Sequence, residues 1–449
     1  MKTKIYITII LFCVFLIKNY SQTTTTLSQG DDLIQAVADA TDGDIIELEP
    51  GFYKANRSAV LINNKSLTIK ATDDASEKPK VYINKIELDS TLVNSLTIEG
   101  IDFSGYEIDS TTGAELDTLN NDYFINLASG LQQFGTITVR NCIIRNIYRA
   151  VLRADRSTYT GTGFVFDNCI IYDIRDAEDN NYGPFRLNKN IQFTSFTLTN
   201  STIYNVVNRI MDCENLEGFH QDILIDNCTF YNFGGKADNR YLFDFKLNDD
   251  LNFIISDCIF GKTNTKAGDG VTDIVLNGFR FTKADDEGNQ DPDNIELTTT
   301  AFTDEFVIHG GFMADYEWNR YEYNLEELDI DFADPDNGDF TLPDDSPALT
   351  MSADLGVIGD PRWGPQSTEK INISNKLKYE TYPNPASSEL FINNPSNSSI
   401  VNIVSTIGQT LLIVELNNGI NTIDISNLNK GIYFIISEDG EYFNKLIIQ

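Results

Sequence analysis

Histidine is nearly absent, cysteine does not come in pairs and positive charge is scarce, and each shortage closes off a class of function. His220 and His309 are the only histidines, and no two cysteines have metal-ligand spacing, which leaves no basis for zinc hydrolysis. Beyond the early Cys13, five cysteines remain, Cys142, Cys169, Cys213, Cys228 and Cys258, and an odd number makes a poor disulfide framework. Thirty-three Lys and Arg against 67 Asp and Glu give a formal charge of −34. That balance repels nucleic acid and anionic membranes, so neither is an expected partner. It also repels an acidic polysaccharide unless positive charge is gathered locally. A long apolar run is missing too: Ile5 to Ile17 is too short to span a membrane. With Lys2 and Lys4 before it and a polar exit at Lys18 to Ser21, it reads as a secretory signal peptide, residues 1–21. The mature protein is expected to have no transmembrane span and to be a monomer. Its 41% hydrophobic content suffices for a sizeable core.

After a threonine-rich leader, Thr23 to Thr26, the run Ser28-Gln-Gly-Asp31 has the form of a capping box. It opens a short helix with Leu33, Ala36, Val37 and Ala40 on one face; Asp42-Gly-Asp44 ends it, and Ile45 to Leu48 reads as a strand. An amphipathic helix feeding short strands is what a parallel β-helix needs at its open end, where it covers apolar groups and unpaired edge groups.

The decisive signal is an internal repeat. Ile137-Thr-Val-Arg-Asn-Cys-Ile-Ile-Arg-Asn-Ile147 is echoed by Phe164-Val-Phe-Asp-Asn-Cys-Ile-Ile-Tyr-Asp-Ile174, then at Phe196 to Val206, Ile223 to Phe233 and, shortened, Phe253 to Phe260. A degenerate copy is Leu96 to Phe103. Steps from Cys142 through Cys169, Ser201 and Cys228 to Cys258 are 27, 32, 27 and 30 residues. Each unit reads as strand, bend, strand, with Ile137 and Val139, or Phe164 and Phe166, pointing inward. Asn at the bend tolerates an unusual backbone conformation. Coils stacked at about 4.8 Å then line up Asn141, Asn168, Asn200, Asn227 and Asp257 in one ladder, and the small residue after each, cysteine or Ser201, in another filling a tight corner.

Past Phe260 the repeat fades. Lys283 to Asn294 is acidic and turn-like, Asp334 to Phe340 with Pro343 to Pro347 resembles a terminal coil, and Asp360-Pro-Arg-Trp-Gly364 closes it. The expected fold is therefore all-β: a right-handed parallel β-helix over residues 22–365 with an N-terminal capping helix, a polar linker over 366–378, and a small antiparallel β-sandwich over 379–449, where short strand-like runs alternate with turns.

Two resemblances rest on particular motifs. The C-terminal unit, with Tyr382-Pro-Asn-Pro385, Ile407-Gly408, Leu428 to Tyr433 and Lys445-Leu446, resembles the sorting domain of the Bacteroidetes type IX secretion pathway. That resemblance implies the type IX machinery as a partner, removal of this domain on export, and release or attachment at the outer cell surface. The body resembles the pectate-lyase-like β-helix superfamily. Its opening, Asp42-Gly-Asp-Ile-Ile-Glu-Leu-Glu-Pro-Gly-Phe-Tyr53, is similar to the first coil of the chondroitinase B and alginate lyase group. Ala333 to Phe340 and Gly359 to Trp363 resemble uncharacterised β-helix domains of polysaccharide-utilisation systems. The lyases' catalytic Lys and Arg motif has no convincing match, so the resemblance implies a fold and not an activity.

Positive charge gathers where the repeat is clearest: Arg140, Arg145, Arg149, Arg153 and Arg156 against Asp155 alone. Aligning Val151-Leu-Arg-Ala, Pro184-Phe-Arg-Leu, Ile210-Met-Asp-Cys and Leu242-Phe-Asp-Phe makes an outward column of Arg153, Arg186, Asp212 and Asp244, flanked by Arg149, Arg209, Arg240 and Lys246. Tyr148 and Tyr172 are candidates for stacking on sugar rings, and guanidinium forks suit uronate or sulfate. These residues form a candidate site for an acidic polysaccharide. An alternative is a lyase working by β-elimination, with Arg153 and Arg186 neutralising a uronate, Lys189 as base and Tyr182 as acid. A hydrolase using Asp212 and Asp244, or a structural adhesin in which the column is only an ion-pair ladder, stays open. No cofactor is required; calcium remains open at Asp285 to Asp293 or Asp334 to Asp339, though neither has a calcium-loop spacing.

Overall fold

The computed structural model describes residues 22–365 and 380–448, apart from 74, 110, 120, 176–182, 189–190, 215–218, 236–239, 247–249, 267–271, 283–293, 310–324, 353–355, 385, 406–409 and 438–442. The signal peptide, the linker, Tyr182, Lys189 and the loop Asp285 to Asp293 lie outside the described residues. Two compact units divide at residue 366.

The first unit is a parallel β-helix with three strands per coil. In one coil these are Gln133–Arg140, Ile143–Ile147 and Ala150–Ala154; the next begins at Thr160–Asp167. Stacking produces an 11-stranded sheet for the first face, and a 17-stranded sheet that folds over the second and third. From Gln133 to Thr298 the first-face register is unbroken from coil to coil because period-two alternation buries one side of each strand. On the first face Ile137, Phe164, Phe196, Ile223, Phe253 and Ile295 stack in one inward column. On the third, Leu152, Phe185, Met211, Phe243 and Phe279 do the same. The rings of Phe185 and Phe196 meet edge to face across the interior at 5.0 Å.

The corners explain the repeated asparagines. Asn141, Asn168, Asn200, Asn227 and Asp257 all have φ between 49° and 54°, the left-handed region that Asn and Asp enter at low cost. A second row turns the next corner, Asn146, Asp173, Asn205 and Asn232, at φ 54° to 59°. Coil-to-coil side-chain bonding is tighter in this second row: Asn232 donates to Asn205 at 2.7 Å and Asn205 to Asp173 at 3.2 Å, whereas Asn168 reaches Asn141 only at 3.5 Å. Each corner cysteine is buried and unbridged. Cys142, Cys169, Cys228 and Cys258 turn their thiols to the carbonyl two residues earlier, as Ser201 does with its hydroxyl. Burial pushes the Cys142 thiol up to about 12, so it is inert.

The helix Leu33–Asp39 lies at the N-terminal end and buries Leu33 and Val37. Its cap is Asp32, whose carboxylate accepts from the N–H groups of Ile34 and Gln35. Ser28 does not serve as the cap, because Asp31 folds back to accept from the Ser28 N–H and closes a separate turn. Lys65, buried, donates to the carbonyls of Val37 and Ala40 and so closes the other end of the helix.

The stack continues beyond Phe260: Asn294–Thr298 pairs with Leu251–Ser256, and Thr300–Phe302 pairs with Ile259–Phe260. The chain then turns back over the coils. A strap, Ile358 to Trp363, crosses the corner between the first and second faces. Gly359 N–H donates to the Asp257 carbonyl, Asp360 N–H to the Thr229 hydroxyl, and Arg362 to the Asn168 side chain. The buried Asp360 carboxylate accepts from the Thr202 hydroxyl at 2.7 Å, and the Trp363 indole donates to the same Thr202 oxygen. Gly359 has φ +80°, and a Cβ there would stand 2.7 Å from Ile259 and 2.8 Å from the Thr229 hydroxyl, so only glycine fits.

The second unit is a curled five-stranded antiparallel sheet built on the long strand Glu389–Ser405, which pairs with Thr410–Asp424 on one side and with Glu380–Tyr382 and Gly431–Ser437 on the other. Leu390, Ile392, Val401, Ile403, Leu416 and Ile435 are among its own core residues.

Candidate functional site

Outward-pointing residues of the third face form a single register-locked column of polar groups. Glu87, Asn126, Arg153, Arg186, Asp212, Asp244 and Arg280 are direct neighbours from coil to coil. Arg153, Asp212 and Asp244 are only 6%, 3% and 5% exposed. Charges this buried must be paired, and the geometry shows how.

Arg153 donates from Nε to Asp155 at 2.5 Å and lies 4.6 Å above the Tyr123 ring. Arg186 bridges Asp155 at 2.8 Å and Asp212 at 3.0 Å. Asn188 adds a second bond to the same Asp212 oxygen at 2.8 Å, and Asp212 Oδ1 has no hydrogen-bond partner. Asp244 accepts from Arg209 at 2.5 Å and from two nitrogens of Arg280, at 2.7 and 2.6 Å.

The pKa values of neighbouring carboxyls therefore shift in opposite directions. Burial raises Asp212, and the charges of Arg186 and Arg209 with the Asn188 bond fall short of compensating. At Asp244 burial also pushes up, but the Arg280 hydrogen bonds and the charges of Arg209 and Arg280 outweigh it and hold the carboxyl below its ordinary value. Asp155 is held low in the same way, by Arg186 and Arg153 against burial.

Around the column, Arg149 is half-buried, donating to the Tyr123 hydroxyl at 3.4 Å and lying 5.6 Å from the centre of the Tyr148 ring. Arg240 and Lys246 open and close the half-buried ends of the strand that carries Asp244, and Lys246 sits beside Glu214 in register. Tyr172 is elsewhere: it stacks on Tyr204 at 4.8 Å on the second face, within the aromatic cluster that Phe340, Phe332 and Trp363 cover. The structure thus brings together Arg149, Arg153, Arg186, Arg209, Asp212, Arg240, Asp244 and Lys246, and sets Tyr172 apart.

Sequence reasoning missed Glu87, Asn126 and Arg280, the members at the two ends of the column. The signal for Arg280 is present: Phe279-Arg-Phe281 matches Phe243-Asp-Phe245, an outward polar residue between two inward rings. Among the described residues no group of three or more His, Cys, Asp or Glu side chains is placed to hold a metal ion. Asp334 and Asp339 are engaged in their own turn, Asp334 accepting from Asn337 and Asp339 from Thr341.

A second charged group stands apart, on the first face. His220 lies between Asp250, at 2.7 Å from Nδ1, and Asp222, at 3.3 Å from Nε2. Burial opposes protonation, but the Asp250 hydrogen bond and the two carboxylate charges outweigh it and raise the imidazole above its ordinary value. The stabilisation is present below the unfolded pKa and is lost as pH rises through the higher folded one. Titration followed by NMR should show one of the two imidazoles ionising above the usual range, and Asp250→Asn should bring it down.

Residues 380–449 match the model of the secretion system C-terminal sorting domain, and residues 223–363 match that of a domain of unknown function, DUF5123. The second match ends at Trp363, the last residue of the strap. The sorting domain marks the chain for secretion or attachment at the outer cell surface. No curated protein matches the chain. Among solved structures, one described as the PL6 family alginate lyase AlyGC is similar at 16% identity and a TM-score of 0.38, over 59% of this chain and 40% of that one. The chain thus covers less than half the length of that protein. Among the described residues no helix is long and apolar enough to cross a membrane.

Proposed function

We propose that this β-helix binds an acidic polysaccharide, uronate-bearing or sulfated, along its third face during extracellular polysaccharide utilisation. The observation that carries the reading is local charge. In a chain of net charge −34, Arg153, Arg186, Arg209 and Arg280 stand within or against one column, with Arg149, Arg240 and Lys246 at its margins. Half-buried rings at those margins, Tyr148 beside Arg149 and Tyr241 beneath Arg280, add faces for sugar stacking. Binding needs only this complementarity. β-Elimination would ask Arg153 and Arg186 to neutralise a uronate, yet each is already held by a carboxylate, so the substrate would have to displace Asp155 or Asp212. Binding can instead use the cations at the margins, Arg149, Arg240 and Lys246, and leave those pairs in place.

Affinity electrophoresis of the full chain in gels containing alginate, pectate, chondroitin, ulvan or a neutral glucan, with and without calcium, tests this. Retention by at least one acidic polymer is expected, weakening with salt. The triple variant Arg149→Ala, Arg240→Ala, Lys246→Ala should lose about tenfold or more in affinity. Retention equal in the triple variant, or retention by the neutral polymer alone, would reject the site. Appearance of an ultraviolet-absorbing unsaturated uronate would make the protein a lyase instead.

A further inference from the structure

Large apolar side chains that remain exposed are few among the described residues, and three of them, Leu411, Ile413 and Ile420, at 39%, 68% and 65% exposure, share one strand of the sorting domain. This strand, Thr410–Asp424, is 15 residues long and pairs on one side with Glu389–Ser405. On its other side no strand pairs with it among the described residues. It is therefore a long edge, interrupted where the Asn421 side chain takes up the Asn417 N–H and the Asn417 and Gly419 carbonyls; to either side its outer main-chain groups pair with no strand among the described residues.

Natural sheets blunt such edges with lysine, proline or inward charge. This strand has no lysine or proline and its only charges, Glu415 and Asp424, are exposed; the bulges in its pairing fall at Leu411 and at Asn417 to Gly419, outside Ile413 and Ile420. Its inner neighbours do not account for the apolar residues either. Ile413 is directly opposite Asn402, and Ile420 is opposite Asn393. Cross-strand pairing stabilises apolar residues when the residue opposite is also apolar. Such a neighbour is missing on the inner side, and a strand added on the outer side would supply it.

We propose that Thr410–Asp424 is the docking edge of the sorting domain, onto which a component of the secretion machinery lays an extended strand with apolar residues opposite Ile413 and Ile420. Main-chain hydrogen bonds provide the affinity, and the two isoleucines set the register. The occupant is chosen on the match of this unit to a secretion sorting domain, a function that requires another protein to read its surface.

Ile413→Lys and Ile420→Lys place a charge where the added strand would lie and touch none of the domain's core. Ser388→Lys adds the same charge at an exposed position off the edge. The full-length variants are expressed in the producing cell, the exported fraction is compared with the chain retained inside the outer membrane, and thermal melting of the purified proteins checks the fold. Each edge lysine should cut export at least about tenfold, because its ammonium would have to be desolvated against the added strand, with melting unchanged. Ser388→Lys should be exported normally. Normal export of both edge variants would overturn the proposal, as would equal loss in all three. A purified chain that is a dimer and is made monomeric by Ile413→Lys would replace the machinery with a second copy as the occupant, and so overturns it too.

Discussion

Asp244→Ala should lower the stability of the β-helix by about 3–5 kcal/mol, read as a lower urea midpoint with an unchanged slope. The carboxylate is the shared acceptor for three guanidinium nitrogens, one from Arg209 and two from Arg280, and is 5% exposed. Its removal takes away the carboxylate that binds both guanidiniums, and Arg209 is only 4% exposed. The neighbour one coil earlier should behave in the opposite manner. Asp212 accepts only through Oδ2, and burial already favours its neutral form. Asp212→Asn keeps an acceptor for Arg186 and removes an ionisation that costs stability, so it should change the stability by less than about 1 kcal/mol.

The two carboxyls also predict different pH behaviour. Asp244, held low, contributes stability that is present above the unfolded carboxylate value and is lost as pH falls through its lower folded one. Asp212, held high, keeps its proton in the folded state over a window where the unfolded chain releases it, so its contribution falls as pH rises through that window. Urea midpoints against pH for the two Asn variants separate these effects. Parallel curves for both would refute the assignment.

Phe196→Ala should cost a similar amount, about 3–5 kcal/mol, by a different route. Its ring is fully buried and contacts Phe185 at 5.0 Å, Phe166 at 6.1 Å and Phe164 at 6.4 Å. All three neighbours lie on the preceding coil, and none can move inward without breaking its own stack, so the cavity stays open. Phe196→Leu should recover most of the loss because it keeps the centre of the coil filled. The urea series decides between them: equal loss for Ala and Leu would mean that ring contacts, and not volume, carry the stability.

The central coils were readable from sequence because one strand period and one corner residue recur from Ile137 to Phe260 with little drift. The same alignment places Arg153, Arg186, Asp212 and Asp244 in a row, since a parallel register carries every position to its equivalent. Two things were not readable. The coil at Asn294–Thr298 and Thr300–Phe302 has Thr299 and Thr300 where Asn and Cys stand elsewhere, so the bend signature is lost although the backbone at Thr299, φ 43°, is kept. Pairing within the column was also invisible: that Asp155 would bridge Arg153 and Arg186 depends on how the chain turns after Ala154, which strand periodicity does not specify.

The strap has a mechanical consequence. Ile358 to Trp363 is fastened to Asn168, Thr202, Thr229 and Asp257, which belong to four successive coils. Tension on the chain beyond Pro365 is thus borne by these attachments together, in shear, before the last coil feels it. Without the strap the same tension would peel strands from the open end one at a time. A protein held at a cell surface by its C-terminal side while polymer drags on its flank would therefore yield at a single high force and not by gradual unwinding.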